Sequence, residues 1–318
     1  MKYWADRINK IVVNNRYDDL ITASESRHTM QFENLVRLIV ESHKYSLNKN
    51  ITDAVLVTGP SSSGKTTTSK LLSAYLKDEG FNVIIISFDD FYHDLNTVCR
   101  LQNKPEGTSA EKLDLECPEA FDIEYFKILM NKFLSGEEIT LPKYDFLQKK
   151  RVPGTKISPT DRDVIIVEGI HALNPVLTDG VNFSKTFKVY ICPFDFYGAE
   201  GLNEVLRPEN IRFMRRSVRD RVDRGSDLSK TMSMWASVRD GEEKYIKPMK
   251  QYADFFFNSS LEYEICLLKT RFIKMVEELD KGDLIELKKG FPLGVLMEYM
   301  DVNHADIPKI SIFREFYK

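Results

Sequence analysis

Val55-Leu56-Val57-Thr58-Gly59-Pro60-Ser61-Ser62-Ser63-Gly64-Lys65-Thr66-Thr67-Thr68 is the stretch from which the rest of the chain can be read. The apolar run at 54–57 has strand character, and Leu71, Leu72, Tyr75 and Leu76 recur at helical spacing after Gly64. Between strand and helix lies G-x-x-x-x-G-K-T, a phosphate-binding loop pattern. Gly59 and Gly64 allow backbone angles and a close approach that a Cβ would forbid. The loop turns its N–H groups inward as a nest for phosphate oxygens, and the helix adds the positive end of its dipole. Gly59, Pro60, Ser61, Ser62, Ser63, Gly64, Lys65, Thr66 and Thr67 are therefore expected to hold the phosphates of a nucleotide. Lys65 suits the outer phosphates and the Thr66 hydroxyl suits Mg²⁺. An ordinary glycine-rich turn would not need three fixed positions and a Thr in strand–loop–helix context.

Working outward, the 318 residues fit one large α/β domain with extensions, or one domain plus a small one. Hydrophobic residues make up 42% and charged residues 29%, the balance of a globular chain rather than a disordered one. A net charge of −3 gives no general attraction to nucleic acid or anionic membrane, so any nucleotide must be held by a local site. Cys99, Cys117, Cys192 and Cys266 form no C-x-x-C pair and no zinc spacing, and read as free thiols in a reducing compartment. The N-terminus lacks a signal-peptide core and no apolar run has the length of a membrane span. A cytoplasmic protein is expected.

Ahead of the loop, Tyr3, Ile8, Ile11 and Val12 predict a short amphipathic helix, and Phe32, Leu35, Val36, Ile39 and Val40 a clearer one. Residues 49–52 read as a polar connector. The N-terminal stretch suits a helical extension packed on the core, a remnant of a larger architecture or an oligomer contact. After the loop, residues 82–87 form a continuous β-branched run, the pattern of a parallel strand buried on both faces. It ends in Asp89 and Asp90, and ligands gather at such strand ends. Asp89 is the candidate base or metal partner. Residues 93–117 read as a long loop. Pro118 is expected to open a helix with Phe126, Leu129, Met130 and Phe133 on its buried face, stopped by Gly136. Pro142 argues against a central strand and for an edge hairpin or lid at 139–146, where Tyr144 and Phe146 suit either base stacking or a satellite core. Residues 163–168 form a second buried-type strand ending in Glu168, a strand-end acid placed to hold Mg²⁺. His171 is expected to make a structural hydrogen bond. Strands are also expected at 185–191 and 253–257, a loop at 198–210, helices at 261–280 and 291–299, and a docked tail at 310–317.

The other informative stretch holds Arg212, Arg215, Arg216, Arg219, Arg221 and Arg224, with Ile211, Met214 and Val218 giving an apolar face at helical spacing. The run is almost one-signed in a slightly acidic chain. Unbalanced positive charge needs an anion, and guanidinium matches phosphate geometry. Arg215, Arg216, Arg219 and Arg224 are thus candidates for clamping a transferring phosphate, with two or three of them expected to act.

Together, G-P-S-S-S-G-K-T-T, D-D-F-Y, P-E-A-F-D, P-K-Y-D-F, I-I-V-E-G-I-H, R-R-S-V-R-D and Y-A-D-F-F-F-N-S resemble the uridine kinase and phosphoribulokinase family of phosphate-loop kinases. S-M-W-A-S-V-R-D-G-E-E-K-Y-I and S-I-F-R-E-F make the chain similar to bacterial uridine kinase-like nucleoside kinases. Such kinases often carry an N-terminal region akin to part of threonyl-tRNA synthetase, which residues 1–50 are too short to contain. The resemblance covers about residues 52–318. It implies an α/β phosphate-loop NTPase fold, with a five-stranded, mainly parallel sheet and helices on both faces. It also implies a lid near 221–240 and an edge hairpin. The expected division is a helical N-terminal extension at 1–50, a kinase domain at 51–260 and a C-terminal helical extension at 261–318.

The resemblance further implies ATP- and Mg²⁺-dependent transfer of the γ-phosphoryl to a hydroxyl, with Asp89 as catalytic acid, Lys65 and Arg219 acting with it, and Thr66 and Glu168 at Mg²⁺. Arg216 and Arg219 match arginines near the acceptor and phosphates, and Arg224 a lid arginine at the nucleotide. Asp89, Tyr92, Glu116 and Tyr144 fall at acceptor positions, Glu116 where an acid holds ribose hydroxyls and Tyr144 where an aromatic meets the base. Two positions depart from the pyrimidine-reading pattern: Lys149 stands where a His is expected after Y-D-F, and is expected at the acceptor, where it suits an anionic or carbonyl-rich compound; Ser226 stands where an Arg follows the lid R-G. The acceptor is therefore expected to be a nucleoside such as uridine or cytidine at its 5′-hydroxyl, with another hydroxyl metabolite of sugar phosphate or pantothenate type as the competing reading. A nucleotide-binding module without transfer would need no acceptor-side acid. No nucleic acid or membrane partner is expected.

Overall fold

The computed structural model describes residues 1–44, 53–145, 148–160 and 163–317. The expected connector at 49–52 and the expected stacking residue Phe146 lie outside them. At the centre is an all-parallel sheet of five strands: β1 (Asp53–Thr58), β2 (Asn82–Ser87), β3 (Asp163–Glu168), β4 (Thr186–Cys192) and β5 (Phe255–Asn258), in the order β5-β4-β1-β3-β2. β1 and β3 are buried along their whole lengths, which is why they read as unbroken apolar runs. Alternate residues serve opposite layers. Val55 and Val57 join one apolar cluster, and Ala54 and Leu56 the other.

β2 corrects the sequence expectation. It is an edge strand and its burial is partial, with Ile85 exposed. Three successive isoleucines made it look central, although only β3 lies beside it.

The register brings the functional ends together. Val57 and Ser87 both lie opposite Glu168, so the start of the phosphate loop, the end of β2 and the end of β3 share one edge of the sheet. The helix Lys65–Asp78 follows the loop, burying Leu72 and Leu76.

The layer over Val55 and Val57 includes the two N-terminal helices, Ala5–Val13 and Tyr17–Lys44, and the C-terminal segments. Residues 2–4 are strand rather than helix. They pair in parallel with Phe196–Gly198, which pairs antiparallel with Val205–Leu206. This small sheet occupies part of the stretch read as a loop at 198–210, and no sequence pattern marked it because each strand is three residues or fewer.

Two further corrections concern residues 93–136. A helix, Leu95–Leu101, interrupts the expected loop, with the Asp94 carboxylate accepting from the Thr97 N–H at 3.0 Å. Pro118 begins only a 3₁₀ turn, Pro118–Ala120; the helix proper is Ile123–Leu134, capped by the Asp122 carboxylate on the Tyr125 N–H. The expected hairpin is present as Ile139–Asp145 against Lys150–Ile157, with its irregularity between Thr140 and Pro142. The tail is docked, with Ile312, Phe313 and Phe316 buried. Among the described residues no helix is long and apolar enough to cross a membrane, and all four cysteines are free and buried.

Candidate active site

The loop between β1 and its helix has the geometry a phosphate nest requires. Gly64 has φ of 94°, and Ser62 also lies in the left-handed region at 58°. A Cβ at Gly59 would collide with the Ile191 carbonyl oxygen of β4, so only glycine lets the loop pass that close. Lys65 folds back and donates to the Pro60 carbonyl at 3.2 Å.

Opposite the loop, Glu168 closes β3. Ser87 Oγ donates to its Oε1 at 2.8 Å, and Thr66 Oγ1 stands 3.5 Å from both carboxylate oxygens. Burial, reinforced by the Asp89 carboxylate, raises Glu168 to about 7. Asp89 is likewise raised, chiefly by burial, while Lys65 opposes the shift and Asp90 adds to it. Asp90 itself turns away, accepting the Tyr144 N–H at 3.0 Å and pairing with Lys143 at 3.1 Å. Of the two strand-end acids, one therefore faces the loop lysine and the other anchors the hairpin.

Glu116 is the third carboxylate of this group. Burial raises it to about 7, against the pull of Arg216 and Lys65, and its Oε2 has no hydrogen-bond partner. The end of the helix Leu228–Gly241 lies against it so tightly that a Cβ at Gly241 would collide with its side chain. His171 Nε2 lies 2.8 Å from the Glu116 carbonyl and donates to it, the structural role expected. Tyr92 donates to the Leu115 carbonyl at 2.9 Å, and its ring lies 5.6 Å from that of Tyr144. Lys149 is different. It sits exposed at the hairpin turn with φ of 54°, and among the described residues no hydrogen bond or ion pair ties it to the carboxylate group.

The arginine helix, Pro208–Arg224, crosses the loop and ends at Gly225 with φ of 61°. Its side chains divide. Arg216 donates to Ser61 Oγ at 2.8 Å; Arg219 pairs with Asp220 at 3.0 Å; Arg224, exposed, stands 3.5 Å from the same Asp220. Arg215 is a correction. It is fully buried, its guanidinium bound to both Glu264 oxygens at 2.7 and 2.9 Å and to the Ser259 carbonyl. Arg212 is similarly matched to Glu242 at 2.6 Å. The helix is one-signed only locally, because acids distant in sequence neutralise its inner side. Ser226 follows Gly225 and uses its N–H on the Asp220 carbonyl.

Lys65, Asp89, Glu116, Glu168, Arg216, Arg219 and Arg224 thus form one electrostatically connected group. Sequence reasoning missed three of its supports. Asp220 was readable, being four residues from both Arg216 and Arg224. Ser87 and Glu315 carried no local signal; Glu315 accepts from Thr67 Oγ1 at 2.9 Å across 248 residues of chain. No cluster of three or more His, Cys, Asp or Glu forms a metal cage among the described residues. Mg²⁺ seldom needs one, since it commonly takes one or two protein oxygens plus phosphate and water. The exposed Thr66 hydroxyl beside the crowded Glu168 carboxylate fits that donor set.

Residues 54–265 match the profile of the Phosphoribulokinase / Uridine kinase family. Over 199 residues the chain is 29% identical to the uridine kinase-like protein 4 of Arabidopsis thaliana, covering 62% of this chain and 36% of that protein. The uridine kinase of Lactobacillus helveticus is 28% identical over 212 residues, covering 66% of this chain and 88% of that one. The chain thus spans little more than a third of the plant relative. Among solved structures, a protein of Silicibacter sp. TM1040, provisionally described as a fructose transport system kinase, shares the fold. Its TM-score is 0.51 at 18% identity, over 71% of this chain and 98% of that one.

Proposed function

Because the chain belongs to the Phosphoribulokinase / Uridine kinase family, we propose that it is an ATP- and Mg²⁺-dependent kinase that transfers the γ-phosphoryl group to the 5′-hydroxyl of a nucleoside such as uridine or cytidine. The observation that carries this reading is the convergence of Lys65, Asp89 and Glu116 with Arg216 and Arg219. A lysine and arginines meet acids that a site for nucleotide binding alone would not require.

In this reading the loop holds the triphosphate and Lys65 draws its outer oxygens. Mg²⁺, held by Thr66 and Glu168, would neutralise charge on the phosphates. Asp89 accepts the proton of the attacking hydroxyl as its oxygen bonds to the γ-phosphorus and the bond to the β-phosphate oxygen breaks. A carboxylate raised by burial is a better proton acceptor than one in water. Glu116, with an unpartnered oxygen, holds the acceptor's other hydroxyls. Tyr92 and Tyr144 wall the acceptor side. Arg216 and Arg219 steady the transferring group, with Arg224 on the nucleotide side.

A second reading, a different hydroxyl acceptor, is favoured by Lys149 and Ser226, which stand where pyrimidine-reading residues are expected. One experiment separates the two. ADP release is measured with ATP and a panel of nucleosides, sugar phosphates and pantothenate, for the wild type and Asp89→Asn. Stimulation by a nucleoside, lost in Asp89→Asn while ATP still binds, supports the first reading. Stimulation only by another hydroxyl compound selects the second. ATP binding without acceptor-dependent turnover across the panel would sink both.

A further inference from the structure

The last turn of the chain lies against the phosphate loop. Ile312–Glu315 form a 3₁₀ turn, with Ser311 Oγ accepting from the Phe313 N–H at 3.1 Å. The turn is firmly seated. Ile312, Phe313 and Phe316 are buried, the Phe313 ring meets Tyr263 edge-on at 5.6 Å, and the Arg215 guanidinium lies 4.9 Å from the Phe316 ring centre. A Cβ at Gly64 of the loop would meet the Ile312 side chain at 3.6 Å.

This seating delivers one carboxylate to the start of the loop helix. Glu315 Oε2 accepts from Thr67 Oγ1 at 2.9 Å and faces the Thr67 N–H at 3.4 Å, while Oε1 stands 4.0 Å from Arg219. Thr67 is the third residue of a helix that begins at Lys65, so its N–H has no acceptor within the helix. The helical bond nearest the loop is the next one, Thr68 N–H to the Gly64 carbonyl at 2.9 Å. Free N–H groups at a helix start are the donors that phosphate oxygens use.

We propose that Glu315 is an internal anion that occupies part of the phosphate site, so that the C-terminal turn restrains nucleotide binding until the triphosphate displaces its carboxylate. This rests on the loop holding a nucleotide. One N–H and one hydroxyl cannot serve a carboxylate and a phosphate together, and two anions at that distance repel. The contact is local to one side chain, so replacing Glu315 leaves the apolar seating of the turn in place.

The test is equilibrium binding of ATP with Mg²⁺, of ADP and of adenosine to the wild type, Glu315→Gln and Glu315→Ala, with thermal melting to verify folding. Relief of a competing charged hydrogen bond should tighten ATP and ADP by about tenfold or more in both variants and leave adenosine unchanged. Equal or weaker ATP binding in folded variants overturns the proposal, and so does an equal gain for adenosine. Failure of the wild type to bind ATP at any concentration would instead overturn the loop reading, and this proposal with it.

Discussion

Arg215 and Arg216 are neighbours on one helix, both buried and both touching the phosphate loop, Arg215 at the Ser62 carbonyl and Arg216 at Ser61 Oγ, yet their acid partners differ. Arg215 points into the molecule, has a carboxylate of its own in Glu264, and is sealed from water. Arg216 reaches the loop, donates to Ser61, and shares Asp220 with Arg219 and Arg224. On the inner side Arg215 and Glu264 balance one to one. On the loop side three guanidiniums lean on Asp220, with Glu315 at the edge of reach of Arg219. Charge left over beside a phosphate loop has a use, whereas charge matched in the interior holds the structure together. The same residue type therefore does two jobs, and the location of its acid partner decides which.

The sharpest way to break this comparison is Arg219→Ala. If the loop-side excess steadies a transferring phosphoryl group, kcat measured by ADP release should fall by about 10³-fold or more, with little change in thermal midpoint. A variant that keeps the wild-type rate would make the loop side structural as well.

Arg215→Met tests the other side. It leaves Glu264 buried without its cation, and loss of one partner of a buried pair costs about 3–5 kcal/mol of stability. Urea denaturation reads this directly. Glu264→Gln should cost stability too, and the double variant less than the two single losses added, because the charge and its counter-charge leave together. A loss below about 1 kcal/mol in Arg215→Met would mean that water reaches and solvates Glu264, and the interior pairing would lose its significance.

This division explains how far the sequence could be read. The loop, β1 and β3 were legible because each is a local pattern, with glycines at fixed spacing and apolar runs ending in Glu168. The acids at 89, 116 and 168 were legible because strand ends and the family resemblance marked them, and the structure brings all three within reach of Lys65. Partner choice was not legible. Glu264 lies 49 residues from Arg215, and Glu315 lies 248 from Thr67. Nothing in R-R-S-V-R-D distinguishes the arginine that will be neutralised from the one that will not. β2 was misjudged for a related reason, since three isoleucines do not reveal that one side of the strand lacks a neighbour.

The third face of the helix supplies the smallest expected effect and the cleanest control. Arg221 forms two hydrogen bonds to Glu278, at 2.6 and 3.0 Å, a geometry as good as that of Arg215 with Glu264. Its surroundings differ, because both side chains are about half exposed, at 43% and 53%. Water solvates both ions when the pair opens, and holding two long side chains together costs rotamer entropy. Arg221→Ala should therefore leave the urea midpoint and kcat unchanged within error. In 1 M NaCl, where the screening length falls to about 3 Å, wild type and variant should be indistinguishable. A clear destabilisation would show that bidentate geometry, not burial, governs these arginines, and the contrast between Arg215 and Arg216 would then have to be drawn from hydrogen-bond number instead of from charge balance.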